Sequence, residues 1–315
     1  MDYNQVIDAA KRIAPYILPT PLISSRLGDS LKIDLRLKPE CRQQTGSFKI
    51  RGAFNKLLQR PTNMGNQHVV TASSGNHGIG VAYAAKLLNM TATVVVPENA
   101  NAKKVHAVQS HGAEIVVWGT TSQERREKAH DICKNTGALF LHSHDDPEII
   151  AGQGTIGLEI TEEWMGVEAI VVPVGGGGLI AGISLLRQLH PAVTIIGVEP
   201  EGSAGTQLSI ENKQLTPFPH VATIADGLRA AKPGKLNFEI IMNYVDSIVT
   251  VSDQEILAAM FKLLDQDKIL VEPSGAAPVA AVLAGKIPDK FRNIVVVLSG
   301  GNIAIESLIA CHSQS

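Results

Sequence analysis

Residues 169–189 read AIVVPVGGGGLIAGISLLRQL. A β-branched run comes first, then four consecutive glycines, then an apolar stretch of helical character. Residues 169–186 carry no charge, a length close to that of a membrane span. Pro173 and the glycines interrupt it, and such residues punctuate short elements. The stretch therefore predicts a strand, a tight turn and a helix, and no membrane association. Four glycines let the backbone turn sharply and present successive N–H groups at a helix start. Those donors and the helix dipole suit a phosphate.

The same pattern recurs along the chain. His68–Ala72 (HVVTA) leads into SSGNHG and then GVAYAAKLL. Thr91–Val96 (TATVVV) and Glu114–Trp118 (EIVVW) each precede a helix-like stretch, the second from about Gln123. Thr194–Val198 (TIIGV) follows the opening segment, and Asn293–Leu298 (NIVVVL) ends in SGGN. Strands alternating with helices predict an α/β protein with parallel sheets covered by helices. Ser252 with Glu255 three residues on predicts a capping box opening a helix. In such folds ligands sit beyond the carboxyl ends of the strands, which is where the glycine turns fall.

Composition removes several function classes. The chain has 315 residues, 44% hydrophobic and 18% charged, enough for a large core of about two domains. That balance excludes intrinsic disorder. Net charge is 28 − 30 = −2, so no basic field draws nucleic acid or anionic lipid. Cys41, Cys133 and Cys311 are too few and scattered for a disulfide framework or a zinc site. A cytoplasmic setting is expected, and the N-terminal stretch shows no apolar leader.

Four turns carry the candidate chemistry. No G-K-[ST] follows Gly175, Gly176, Gly177 and Gly178, which excludes a P-loop. Gly176-x-Gly178-x-x-Ala181 with Glu199 about 20 residues on keeps a nicotinamide-dependent dehydrogenase open. Ser73-Ser74-Gly75-Asn76-His77-Gly78 offers either an anion site or a plain helix cap. Thr45-Gly46-Ser47-Phe48-Lys49 places a lysine in apolar company. It is either a surface residue or a desolvated amine able to form a Schiff base. Ser299-Gly300-Gly301-Asn302 is a further turn, with a hydroxyl able to meet a cofactor.

Taken in order, SFKIRGA, SSGNHG, GQGT, GGGGLIAG and LSGGN resemble the fold-type II pyridoxal-phosphate (PLP) enzymes. Within them the sequence is similar to the serine/threonine dehydratase and serine racemase family over nearly its whole length. The resemblance implies a fold like that of the tryptophan synthase β subunit. A large PLP-binding domain would comprise residues 1–49 and 143–315, and a small mobile domain residues 50–142. Lys49 would carry PLP through its amine, with Phe48 beside the ring and Asn76 at the ring hydroxyl. Gly175 to Gly178 and Leu179 would take the phosphate, and Ser299 would meet the pyridine nitrogen. Ser73, Ser74, Gly75, Asn76 and His77 would hold the substrate carboxylate, Ser74 also serving as a second catalytic group. The implied activity is dehydration of L-threonine, L-serine or a close β-hydroxy amino acid to the 2-oxo acid and ammonia. Serine racemisation is the alternative, because Ser74 stands where racemases carry a serine. The family's cation site would fall on Glu199, Ser203 and Gly205. Gly205 lacks a carboxylate, which leaves Glu199 and Ser203 as an incomplete set for a divalent cation. The sequence ends within 15 residues of LSGGN, so no regulatory domain is expected. A homodimer is the assembly implied.

Overall fold

The computed structural model describes residues 1–60, 67–73, 75–100 and 102–312. Its strands are β1 (Ile23–Ser24), β2 (Asp34–Lys38), β3 (His68–Ala72), β4 (Thr91–Val96), β5 (Glu114–Val117), β6 (Leu139–Phe140), β7 (Ala169–Pro173), β8 (Thr194–Pro200), β9 (Ser247–Val251) and β10 (Asn293–Val297). The helices that bear on the site are α1 (Asn4–Ile13), α2 (Lys49–Leu58), α3 (Asn76–Leu87), α4 (Ala102–Gln109), α5 (Ser122–Thr136), α6 (Pro147–Glu163), α7 (Gly178–Ser184), α8 (Gly205–Glu211), α9 (Lys235–Tyr244), α10 (Asp253–Lys262) and α11 (Pro273–Leu283).

The strands form two sheets. One has six strands in the order β1-β2-β10-β7-β8-β9, parallel except for the β1–β2 pair. The other has four parallel strands in the order β5-β4-β3-β6. Both are covered on both faces, and the strand alternation shows it. Ala169, Val171, Ile294 and Val296 pack with α10 and α11, while Ile170, Val172, Val295 and Val297 pack with α1, α6, α7 and α9. In the smaller sheet Val69, Val94 and Val96 face α2 and α3, and Val70 and Val95 face α5. Among the described residues no helix is long and apolar enough to cross a membrane.

The expected strands are present with small shifts. The third stops at Val117, leaving Trp118 half-exposed beneath the Lys128 ammonium. β8 runs two residues further, to Pro200, because β9 pairs with it as far as Val251. The Ser252–Glu255 capping box forms as expected, and Thr121 with Glu124 builds another at α5. β2 and β9 carry weak sequence signals: DLRLK is charged on one face, and SIVTV is short and edge-placed.

Candidate active site

β3, β7 and β10 each end in one of the turns singled out above. Lys49 reaches this region because the preceding residues pair with the turn after β10. Ser47 bridges Gly300, and the Phe48 N–H donates to the Ser299 carbonyl at 3.1 Å. The Asn302 amide donates to the Thr45 carbonyl and to Asn76 Oδ1, each at 2.8 Å. Asn76 Nδ2 in turn donates to Glu272 Oε1 at 2.6 Å. Two side-chain amides thus tie three turns and the start of α11 together.

Lys49 opens α2 and is partly exposed. Its Nζ donates to the Ser143 carbonyl at 2.9 Å and lies 5.0 Å from the Phe48 ring centre. Burial of the amine lowers its pKa to about 8, against an opposing pull from Glu272. About a tenth of the amine is therefore free base at pH 7, far more than at its ordinary value, and that is the form that attacks carbonyl carbon. Two residues on, Arg51 is fully buried. Its guanidinium pairs with Glu40 at 2.8 Å and Glu159 at 2.5 Å, and Glu159 also meets Lys38 at 2.5 Å. Two positive and two negative groups balance there, which fixes the first turn of α2 against α6 and β2.

Segment 142–145 joins Lys49 to the glycine turn. The His144 ring packs on Gly176 so closely that a Cβ there would lie 2.4 Å from the imidazole. Gly177 adopts φ +89° as the cap of α7, a conformation that suits glycine. Asn237 Nδ2 holds the carbonyls of His144 at 3.1 Å and Gly176 at 2.7 Å. Asp145 accepts from the backbone N–H groups of Lys235, Leu236 and Asn237 at the start of α9. His142 Nδ1 accepts from the N–H groups of His144 and Asp145, which fixes its proton on Nε2. Burial holds the His142, His144 and His77 pKa values low, His77 at about 3, so all three rings are neutral.

Two carboxyl groups are pushed up to about 7. Glu272 is pushed up to about 7 by burial and by Asp226, with Asn76, Lys104 and Lys49 opposing. It can hold a proton beside Asn76. Glu199 is 1% exposed and is also raised to about 7 by burial. Its oxygens accept from the N–H groups of Thr206 at 2.9 Å and Gln207 at 2.8 Å. Ser203 Oγ donates to the Leu228 carbonyl at 2.9 Å. A Cβ on Gly205 would lie 2.2 Å from the Ala231 carbonyl oxygen. Among the described residues no cluster of three or more His, Cys, Asp or Glu is placed to hold a metal ion. The set Glu199, Ser203 and Gly205 does not fit a cation. Nor is Glu199 available to a ribose hydroxyl, which corrects the dehydrogenase alternative.

The expected site residues Phe48, Lys49, Asn76 and Ser299 come together as one constellation. Gly175 to Gly178 join it through His144 and Ser143. Leu179 is buried in α7, and the backbone of Ser73, Gly75 and His77 follows β3 into α3. The His77 side chain is buried, with Nε2 3.4 Å from the Leu141 carbonyl. Ser74 lies outside the described residues. Sequence reading missed Glu272, Asn237, His144 and Asp145, whose partners are distant in the chain. Asp145-Asp146-Pro147 carries a visible cap signal, since Asp146 caps α6 before Pro147, but nothing marked Asp145 as the cap of α9.

A lysine of lowered pKa, set between two α/β units and linked to a glycine-lined helix start, defines an enzyme that works through an amine and a phosphate-bearing carbonyl cofactor. The pattern of the pyridoxal-phosphate dependent enzymes matches residues 13–300, and the chain belongs to that family. It is 42% identical over 310 residues to an L-threonine ammonia-lyase of Geobacter sulfurreducens, covering 98% of this chain and 77% of that protein. It is 41% identical to a catabolic L-threonine dehydratase of Staphylococcus aureus, covering 95% and 88%. The solved structure of maize serine racemase superposes with a TM-score of 0.94 at 36% identity, covering 99% of this chain and 97% of that one. PLP is the cofactor of the family, and the residues present fit it. The cradle at Gly176 leaves no room for a side chain. Buried polar atoms without a protein partner also gather nearby: Thr45 Oγ1, Ser47 Oγ and His77 Nδ1.

Proposed function

We propose that this protein is a PLP-dependent ammonia-lyase that converts L-threonine, L-serine or a close β-hydroxy amino acid to the 2-oxo acid and ammonia. The observation that carries the reading is the Lys49 amine, lowered to about 8 and held by the Ser143 carbonyl beside the glycine turn. The threonine ammonia-lyase and dehydratase relatives support the substrate class.

In this reading Lys49 holds the cofactor, with Phe48 against the ring and Asn76 at its hydroxyl. Ser299 meets its nitrogen, and the N–H groups of Gly175 to Gly178 and Leu179 hold its phosphate. When bound, PLP supplies an electron sink for charge developing at the substrate α-carbon. Lys49 takes the proton from that carbon as general base. Ser299 is neutral, so it leaves the sink a mild one, which favours loss of a β-hydroxyl over long storage of charge. Glu272 fixes Asn76 and holds a proton near pH 7. The backbone from Ser73 to His77 positions the substrate carboxylate at the start of α3. We place the protein in the cytoplasm as a homodimer, which fractionation and light scattering would check.

A second reading, serine racemisation, is favoured by the likeness to maize serine racemase. Ser74 is the candidate second proton donor that this reading needs. One assay separates the two: L-threonine and L-serine are supplied to the holoenzyme, and 2-oxo acid and D-serine are measured together. Oxo acid without D-serine is expected of the lyase. If the wild type makes D-serine and Ser74→Ala abolishes only that product, both activities are present. Absence of both products overturns the proposal.

A further inference from the structure

Helices and loops of the two sheet units meet on two sides of the site. On one side α2 lies along α6, fixed by the buried Arg51, Glu40, Glu159 and Lys38 network and by Lys56 with Asp146 and Glu148 at 2.9 Å. On the other side, among the described residues, the Lys104 ammonium of α4 pairs with the Asp226 carboxylate. Asp226 belongs to a segment firmly attached to the six-stranded unit. Gly227 N–H donates to Ser274 Oγ at 2.9 Å, Ser203 Oγ to the Leu228 carbonyl, and Arg229 to the Thr223 carbonyl. The same segment walls the glycine turn, since a Cβ on Gly175 would lie 3.0 Å from the Gly227 carbonyl oxygen.

The pair is placed to act on the site. Both partners bear on Glu272, Asp226 favouring its neutral form and Lys104 its charged one. Both are about a third exposed, 30% and 39%, so the pair forms and breaks in reach of water. On the opposite side the Arg51–Glu40 pair is wholly buried, and Lys38 beside it is 1% exposed. One side is therefore built as a fixed joint and the other as a contact that can open.

We propose that Lys104 and Asp226 are positioning residues, a clasp that holds α4 against the 226–228 segment when an amino acid is bound beside Lys49. The clasp rests on the reading of this site as an amino-acid site, and it requires the four-stranded unit to move relative to the six-stranded one. It tightens substrate binding by enclosing the site, and it takes no part in proton transfer.

The test uses holoenzyme and glycine, an amino acid with no β-hydroxyl to lose, with binding followed by the change in cofactor absorbance. Lys104→Gln and Asp226→Asn should each raise the half-saturating glycine concentration about three- to five-fold, the scale of a partly exposed ion pair. The KM for L-threonine should rise with it, while kcat falls less. The double variant Lys104→Asp with Asp226→Lys should return glycine binding to within about two-fold of wild type. Added salt should weaken glycine binding in the wild type and leave the single variants unmoved. Single variants that bind glycine as tightly as wild type overturn the clasp. So does a swapped pair no better than the singles, or a wild-type spectrum unmoved by glycine. If glycine shows the clasp but L-threonine and L-serine yield no oxo acid, the lyase reading fails and the clasp stands.

Discussion

The turn after β7 and the turn after β8 lie at the same edge of the same sheet, and each leads to a seven-residue helix. After β7 the chain supplies Gly175 to Gly178 and no acidic side chain. The end of β8 itself supplies Glu199, whose carboxylate occupies the N–H groups of Thr206 and Gln207. The first helix start keeps its donors for a ligand, whereas the second is satisfied from within. Glycine at a helix start is therefore not sufficient for an anion site. What distinguishes the two turns is whether the chain's own anion has already taken the donors, and at β8 the burial that accompanies it raises Glu199 to about 7.

The contrast can be broken most strongly at the first turn. Gly176→Val would drive a side chain into the His144 ring, and overpacking of this kind costs about 1–3 kcal/mol. PLP affinity should fall about ten- to hundred-fold, read by equilibrium titration of apoenzyme. Unchanged affinity in a folded variant would reduce the glycine run to a simple turn.

At the second turn, Gly205→Asp supplies the carboxylate whose absence sets the site apart. The Ala231 carbonyl stands 2.2 Å from the new Cβ. The variant should lose about 2 kcal/mol of stability in chemical denaturation without gaining cation binding by calorimetry. Cation binding by Gly205→Asp would show that the missing carboxylate alone had kept metal out.

Glu199→Gln sharpens the comparison through pH. The folded-state pKa of Glu199 lies above its ordinary value, about 7 against 4.5. Between those values the folded protein keeps a proton that the unfolded chain has lost. The contribution of Glu199 to stability therefore falls as pH rises through that window, and its penalty is fully present above it. Glu199→Gln should remove up to one proton from the pH slope there, with Glu272 contributing a slope of the same sign and the buried His77, His142 and His144 one of the opposite sign. An unaltered slope would mean that Glu199 is ionised throughout. The smallest expected effect is none: chelator treatment should change neither thermal midpoint nor activity, because both Glu199 oxygens are engaged and Gly205 offers no ligand.

Much of this was legible in the chain, for reasons that differ by residue. The β7–α7 unit could be read because β-branched runs and consecutive glycines act locally. The Ser252–Glu255 cap could be read because its partners are three residues apart. Lys49 was different, since its local sequence also suits a surface lysine and only the joint order of five motifs singled it out. Glu272 was not legible at all. Its partner Asn76 is 196 residues away, and EPSGAAP reads as an ordinary helix start. Separations of 61 and 122 residues likewise hid Asn237 from Gly176 and Lys104 from Asp226.

The sequence by itself determined the alternation of strands and helices, the turns at which ligands could bind, and the residue types available there. It also left the cation set of Glu199 and Ser203 one carboxylate short, because glycine stands at position 205. Only the tertiary structure decided what those residues are in chemical terms. The Lys49 amine is lowered to about 8, Glu199 and Glu272 are raised to about 7, and the glycine turn meets a neutral histidine. Each of these depends on removal from water and on partners brought from other parts of the chain. Desolvation and Coulomb interaction depend on three-dimensional distance, which local sequence pattern does not encode.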